Sequence, residues 1–182
     1  MKYIIASDIH GDAVCCRALL DAAQKEGADK ILLLGDILYH GPRNNLPCGY
    51  APKQVIEMLN ANSNKIICVR GNCDAEVDQM VLSFPIMSDF ERVYDEESGK
   101  TLLLSHGHVY SPDKLPPHDE DCIFLSGHTH VLDVSIHDGT PCINPGSVSL
   151  PKQENPKTYA VYKGGNIQIK TLDGQVIISQ DV

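Results

Sequence analysis

Tyr3-Ile4-Ile5-Ala6-Ser7-Asp8-Ile9-His10 decides how this chain is read: a short apolar run ends on a carboxylate and an imidazole two residues apart. In extended backbone, residues two apart project to the same side, about 6–7 Å from each other along the chain, so Asp8 and His10 can serve one site. The same event recurs four times. The run from Lys30 to Leu34 ends in Gly35-Asp36, and the run from Lys65 to Val69 is followed by Gly71-Asn72. The run from Thr101 to Leu104 ends in Ser105-His106-Gly107-His108, and that from Cys122 to Leu125 in Gly127-His128-Thr129-His130. Taken singly, each histidine reads as a core or surface residue, Asp36 as a turn residue and Asp12 as a helix cap. Seven candidates following strand ends in succession are not what independent placement predicts. Ligands in open α/β sheets gather outside the carboxyl ends of the strands, so Asp8, His10, Asp36, Asn72, His106, His128 and His130 form one candidate ligand set. The glycines at 35, 71 and 127 permit sharp turns and close approach beside it.

Outward from these runs, the first two thirds of the chain alternate strands with helices, the pattern of a sheet covered by helices. Asp12 to Glu26 reads as a helix with Val14, Ala18, Leu19, Ala22 and Ala23 on one face and Asp12 as its cap. Ala51 to Asn60 reads as a second, with Val55, Ile56 and Leu59 inward. Beyond Gly127, alternating runs at 131–136, 158–162, 167–171 and 176–179 are separated by Asp138-Gly139, Gly164-Gly165 and Asp173-Gly174, which predicts antiparallel hairpins. The expected class is α/β: two packed mixed β-sheets flanked by helices, in a single domain over residues 1–182. Tyr39 to Pro52, rich in Gly, Pro and Asn, is a long loop of the kind that carries function.

With 182 residues and 42% hydrophobic composition, the chain can bury one substantial core. Its formal charge of −9 opposes a grip on extended nucleic acid, whose binding needs clustered Lys and Arg. The first apolar run is too short for a secretory signal and no membrane-length apolar stretch occurs, so a soluble cytoplasmic protein is expected. Seven cysteines without a CxxC spacing read as packing residues in a reducing compartment.

The blocks Asp8-Ile9-His10, Gly35-Asp36, Gly71-Asn72-Cys73-Asp74, His106-Gly107-His108 and Gly127-His128-Thr129-His130 resemble the calcineurin-like metallophosphoesterases, with their pattern DxH, GD, GNH[DE], H and GHxH. Gly41-Pro42-Arg43-Asn44, Gly49-Tyr50-Ala51-Pro52, Val69-Arg70 and Asn144-Pro145-Gly146-Ser147 are similar to the small bacterial YfcE-type phosphodiesterases within that family. The resemblance implies a four-layer α/β/β/α sandwich and two divalent metal ions. Asp8, His10, Asp36 and His130 would hold one metal, and Asp36, Asn72, His106 and His128 the other, with Asp36 as bridge. It implies hydrolysis of small phosphate esters through a metal-bridging hydroxide, and it points to a homo-oligomer. The mixed imidazole, carboxylate and amide donors suit Mn, taken as the cofactor, with Ni, Fe, Co or Zn as alternatives.

Where the family pattern has histidine in its GNH[DE] block, this chain has Cys73. A thiol matches general-acid work at neutral pH less well than imidazole, so Cys73 is a candidate catalytic residue set against a passive filler. Tyr39 lies three residues after Asp36, the spacing of an iron-binding tyrosinate in purple acid phosphatases, but His10 already fills that ligand place, so it reads as a loop residue. His40 and Arg43 are candidate substrate contacts, guanidinium being able to hold two phosphate oxygens. His108 either lines the site or supports His106. The rival readings are a phosphomonoesterase or nucleotide phosphatase, a non-catalytic protein-binding scaffold of the same fold, and a nuclease, which the acidic charge and short chain oppose.

Overall fold

The computed structural model describes residues 1–118 and 120–182. The first strand, β1 (Lys2–Ala6), sits inside a six-stranded mixed sheet. It pairs in parallel with β2 (Lys30–Leu33), which pairs in parallel with β3 (Ile66–Cys68). On its other side β1 runs antiparallel to β9 (Thr158–Lys163), and β10 (Asn166–Thr171) and β11 (Val176–Asp181) extend the sheet as hairpins. A second mixed sheet has the order β4 (Phe90–Asp95), β5 (Lys100–Ser105), β6 (Cys122–Leu125), β8 (Thr140–Pro145), β7 (Leu132–His137). The expected hairpins form at Gly164-Gly165 and Asp173-Gly174, whereas Asp138-Gly139 turns β7 back onto β8 and not onto the 158–162 run.

Both faces of β1 and β2 are covered, which is why these strands read as continuous apolar runs rather than alternating ones. Tyr3, Ile5, Leu32 and Leu34 point toward the second sheet and meet Leu102, Leu104, Ile123 and Leu125 in the inter-sheet core. Ile4, Ala6, Ile31 and Leu33 point outward onto α1 (Ala13–Glu26) and α2 (Pro52–Asn60) through Leu19, Val55 and Leu59. Asp12 caps α1 as expected, its carboxylate accepting from the Cys15 N–H at 2.9 Å. The expected buried stripe needs one correction: Val14 is 70% exposed, and Ala13, Cys15 and Cys16 turn inward with Leu19, Ala22 and Ala23.

On the outer face of the second sheet, Leu103, Cys122, Phe124 and Cys142 are covered by Phe90, Tyr110 and Leu115 instead of a helix. Pro112, Pro116 and Pro117 in that covering segment lack the N–H groups a helix requires. Strands β4 and β8 and the single turn α3 (Glu76–Gln79) were not expected from the sequence. The parallel set β1–β2–β3 and the parallel set β5–β6–β8 bring their carboxyl ends to a common seam. Across it, the Val148 N–H donates to the Ser7 carbonyl at 3.1 Å and joins the two sheets.

Candidate metal centre

Asp8 and His10 follow β1, Asp36 follows β2 and Asn72 follows β3, while His106 follows β5 and His128 and His130 follow β6. As each chain leaves its strand it bends sharply. Asp8, His10, Asp36, His128 and His130 all have positive φ, between 49° and 69°, in the left-handed region that L-residues seldom occupy. Such geometry costs on the order of 1–3 kcal/mol per residue and survives only where surrounding contacts impose it.

Those contacts are specific. Asp74 is buried, and its carboxylate accepts N–H bonds from Asp36 and Ile37 at 2.8 Å each and from Gly71 at 2.7 Å, which clamps two strand-end loops together. The Cys73 N–H donates to Asp36 Oδ1 at 2.8 Å. The Asp8 carbonyl accepts the hydroxyls of Ser147 and Ser149 at 3.0 and 2.9 Å. Asn144 donates to the Gly127 carbonyl at 2.8 Å and to Thr129 Oγ1 at 2.9 Å, bracing the loop that carries His128 and His130. Close approach explains two of the glycines: a Cβ at Gly71 would lie 2.1 Å from Asp36 Oδ1, and one at Gly127 would lie 1.9 Å from Ser7 Oγ.

Three imidazoles are oriented by backbone carbonyls. His10 Nδ1 donates to Tyr39 O at 2.7 Å, His106 Nδ1 to Leu34 O and His130 Nδ1 to Leu150 O, both at 2.6 Å. Each Nε2 therefore faces the acids. His10 and His130 Nε2 lie 3.3 Å apart and 3.5 and 3.2 Å from Asp8 Oδ1, a buried oxygen with no hydrogen-bond partner among the described residues. Asp36 Oδ2 lies 3.7 Å from His10 Nε2 and 3.5 Å from His106 Nε2, and His106 Nε2 is 3.1 Å from Asn72 Oδ1. Lone pairs and carboxylate oxygens converging at these distances need a cation or protons among them. This donor set fits divalent ions.

The electrostatics express the same demand for positive charge. Burial pushes the Asp8 carboxyl up, but His10 and His130 beside it outweigh that and hold it well below the usual carboxylate range. Burial likewise opposes ionisation of Asp36, and His106 draws it below its ordinary value. For His106, burial pulls the imidazole down while Asp36 and Asp8 carry it up to about 9. His128 goes the opposite way, lowered by burial and by the charge on His106.

Among the described residues, Asp8, His10 and His130 form one cluster with donor atoms within 4.8 Å of one another, and Asp8, Asp36 and His106 form a second. His10, Asp36 and Cys73 form a third. His128 is half-buried outside these clusters, with its ring centroid 5.1 Å from that of His106 and its backbone N–H on Asp8 Oδ2 at 3.1 Å. A cleft of about 760 Å³ opens over the group, lined by Asp36, Asn72, His128, His130, Tyr39 and Arg43 among others. Arg43 thus reaches the cleft. His40 does not line it, and its ring packs edge-on against Tyr39 and Tyr50 at centroid distances of 4.8 and 5.3 Å. His108 packs 5.3 Å from His106, and burial together with the His106 charge lowers its pKa. Tyr39 contributes its carbonyl to His10 and its ring to the cleft wall. Cys73 lies in the cleft lining, its thiol pushed up to about 12 by burial and the nearby Asp36. Sequence reasoning missed Lys152, an exposed cation on the cleft rim, and the bracing roles of Ser147, Ser149 and Asn144. Only the Asn-Pro-Gly-Ser string hinted at Asn144 and Ser147, and nothing hinted at Ser149.

A family model for the calcineurin-like phosphoesterase superfamily domain matches residues 1–166. Phosphodiesterase YfcE of Escherichia coli K12 is 43% identical over 180 residues, covering 99% of this chain and 97% of that protein. The solved structure of the E. coli Yfce phosphoesterase superposes with a TM-score of 0.95 at 41% identity, covering all of both chains. Wild-type Vps29 of Entamoeba histolytica, in complex with zinc, matches at a TM-score of 0.57 and 18% identity over 100% of this chain and 98% of that one. This last likeness is one of fold alone.

Proposed function

From its membership of the calcineurin-like phosphoesterase superfamily, which this chain belongs to over most of its length, we propose that it is a metal-dependent phosphodiesterase acting on small phosphate esters. The observation that carries this reading is the pair of imidazole Nε2 atoms 3.3 Å apart beside the unpartnered Asp8 Oδ1, each ring fixed through Nδ1. We assign Asp8, His10, Asp36 and His130 to one cation and Asp36, Asn72, His106 and His128 to a second. Asp36 as bridge is supported by its Oδ2 facing both His10 and His106. Manganese is the proposed ion, with nickel, iron, cobalt and zinc compatible with the same donors.

When bound, such a pair lowers the pKa of water and stabilises charge on the phosphate oxygens. The protein's own contribution is placement. Asp74 holds Asp36 and the Asn72 loop in one arrangement, and Ser147 and Ser149 fix the bend at Asp8. Backbone carbonyls keep the Nδ1 protons of His10, His106 and His130 away from the cleft. Arg43 and Lys152 on the cleft lining offer positive charge to the anionic ester. The net charge of −9 over the whole chain supports small esters over nucleic-acid polymers.

We also read residues 1–182 as one domain, since β10 and β11 complete the sheet that β1 begins. Cytoplasmic residence is supported by the free thiols of Cys15, Cys16, Cys48, Cys68, Cys73 and Cys142; among the described residues, no helix is long and apolar enough to cross a membrane. The test is elemental analysis of protein purified without added metal, followed by assays on bis(4-nitrophenyl) phosphate and 4-nitrophenyl phosphate with each cation. Expected are about two transition-metal ions per chain and preference for the diester. Absence of bound metal with no cation-dependent hydrolysis would overturn the assignment.

A further inference from the structure

Beside the cleft lies a second concavity of about 460 Å³ with a different character. Its walls are Ile56 from α2, Val77 and Val81 from α3 and the turn after it, and Tyr39 and Tyr50 from the long loop. Val77, Val81 and Tyr39 are 63%, 45% and 43% exposed, so apolar and aromatic surface stands open to water at the edge of a charged site. The groove is continuous with the cleft, because Tyr39, Cys73 and Ala75 line both. Cys73 Sγ also lies within 4.8 Å of donor atoms of Asp36 and His10, so the groove starts one short side chain away from the acid and imidazole cluster. Its charged members are Lys53 and Asp78, and Asp78 is already engaged by the Ala75 N–H at 2.9 Å.

We propose that this groove, lined by Tyr39, Tyr50, Ile56, Val77 and Val81, binds the uncharged aromatic substituent that stays on phosphorus during diester hydrolysis, so that it sets substrate class. The proposal rests on the phosphodiesterase reading above. In that reaction the oxygen of water bonds to phosphorus and one P–O ester bond breaks. Its electron pair departs on the leaving oxygen, the protons pass to solvent, and the second ester remains. The departing oxygen gathers negative charge and belongs in the cleft, whose lining includes Arg43 and Lys152. The retained group gathers none, and burying its ring against aliphatic and tyrosyl surface is favourable in proportion to the area removed from water. The groove has the size of a small-ligand site, and a methyl substituent would leave most of it empty.

Two diesters with the same leaving group, bis(4-nitrophenyl) phosphate and methyl 4-nitrophenyl phosphate, are assayed with the manganese-loaded full chain, and comparing their ratio between wild type and variant, after division by the uncatalysed ratio, cancels their different intrinsic reactivity. The expected ratio of kcat/KM, aryl over methyl, is at least about tenfold in the wild type, carried mainly by KM. In Val77→Ser/Val81→Ser the ratio falls at least about threefold toward one. Both positions are exposed, and the Val81 carbonyl keeps its bond from Asn60 at 2.9 Å, so folding is checked directly by thermal melting. If the wild type hydrolyses both esters with a ratio near one, or if the double variant keeps the wild-type ratio, the groove assignment fails while the diesterase reading stands. If neither ester is cleaved with any cation, the diesterase reading fails and the groove assignment with it. A changed sedimentation mass in the double variant at an unchanged ratio makes the groove a contact between protein copies and overturns the proposal.

Discussion

Asp74 touches none of the seven candidate ligands through a metal-facing atom, yet three backbone N–H groups, from Asp36, Ile37 and Gly71, end on its carboxylate. Asp74→Ala leaves those donors buried and unpaired. The expected cost is about 3 kcal/mol of stability, read by denaturant unfolding. Metal affinity should fall roughly 10- to 100-fold in a calorimetric titration, and an unchanged affinity would remove Asp74 from the support of the site. Cys73 makes the opposite kind of case. With its thiol pushed up to about 12, it stays protonated and is a reluctant proton donor at neutral pH. Cys73→His should therefore raise hydrolysis of alkyl esters, whose leaving oxygen needs a proton, by about 10² relative to activated aryl esters. Equal effects on both classes would mean that leaving-group protonation does not limit this enzyme.

At the level of strands and helices, legibility followed burial. The five runs that precede the site were readable because each is apolar on both faces and ends abruptly in a ligand-type side chain. Strand β4, with Glu91, Arg92 and Asp95 among its six residues, has no continuous apolar run, and β8 carries Pro141 and Pro145, which read as breakers. The ligands were legible as side chains. The serine braces were not, because Ser147 and Ser149 act on a backbone group that only the folded topology brings near. Helix α1 offers two stability tests. Removing its cap with Asp12→Ala should cost about 1 kcal/mol, seen as a lower Tm. Glu26 at its far end binds Lys170 of β10 at 2.6 Å and Lys2 of β1 at 3.4 Å, and Lys170 above all holds its carboxyl below the ordinary value of 4.5. A folded-state pKa below the unfolded one means that the contribution is complete above about pH 4.5 and is lost as pH falls through the depressed value. Glu26→Gln should thus be less stable than wild type by under about 1 kcal/mol at pH 7, with the two melting curves converging in strong acid.

For the molecule as a whole, cation binding and folding are linked. Hydrogen bonds hold the strained strand-end backbone at five positions, and Asp8 and Asp36 gather His10, His106 and His130 about a point that a cation would fill. Manganese at about one hundred times its dissociation constant should stabilise the fold by about 2.7 kcal/mol, and EDTA should lower Tm by the corresponding amount. Equal melting temperatures with metal and with chelator would show that the site holds no ion of consequence.

The pairing of Lys2 and Tyr3 with Lys163 and Tyr162, together with the hydroxyls of Ser147 and Ser149 on the Asp8 carbonyl, has a further consequence for the timing of assembly. The amino-terminal strand leaves the ribosome long before its neighbour in the sheet and before the two serines that hold its exit bend. Until β9, Ser147 and Ser149 have emerged, the segment bearing Asp8 and His10 lacks both a sheet neighbour and the brace on its bend. Completion of the candidate site should accordingly wait on pairing between segments about 150 residues apart in the chain, the kind of long-range contact that forms slowly.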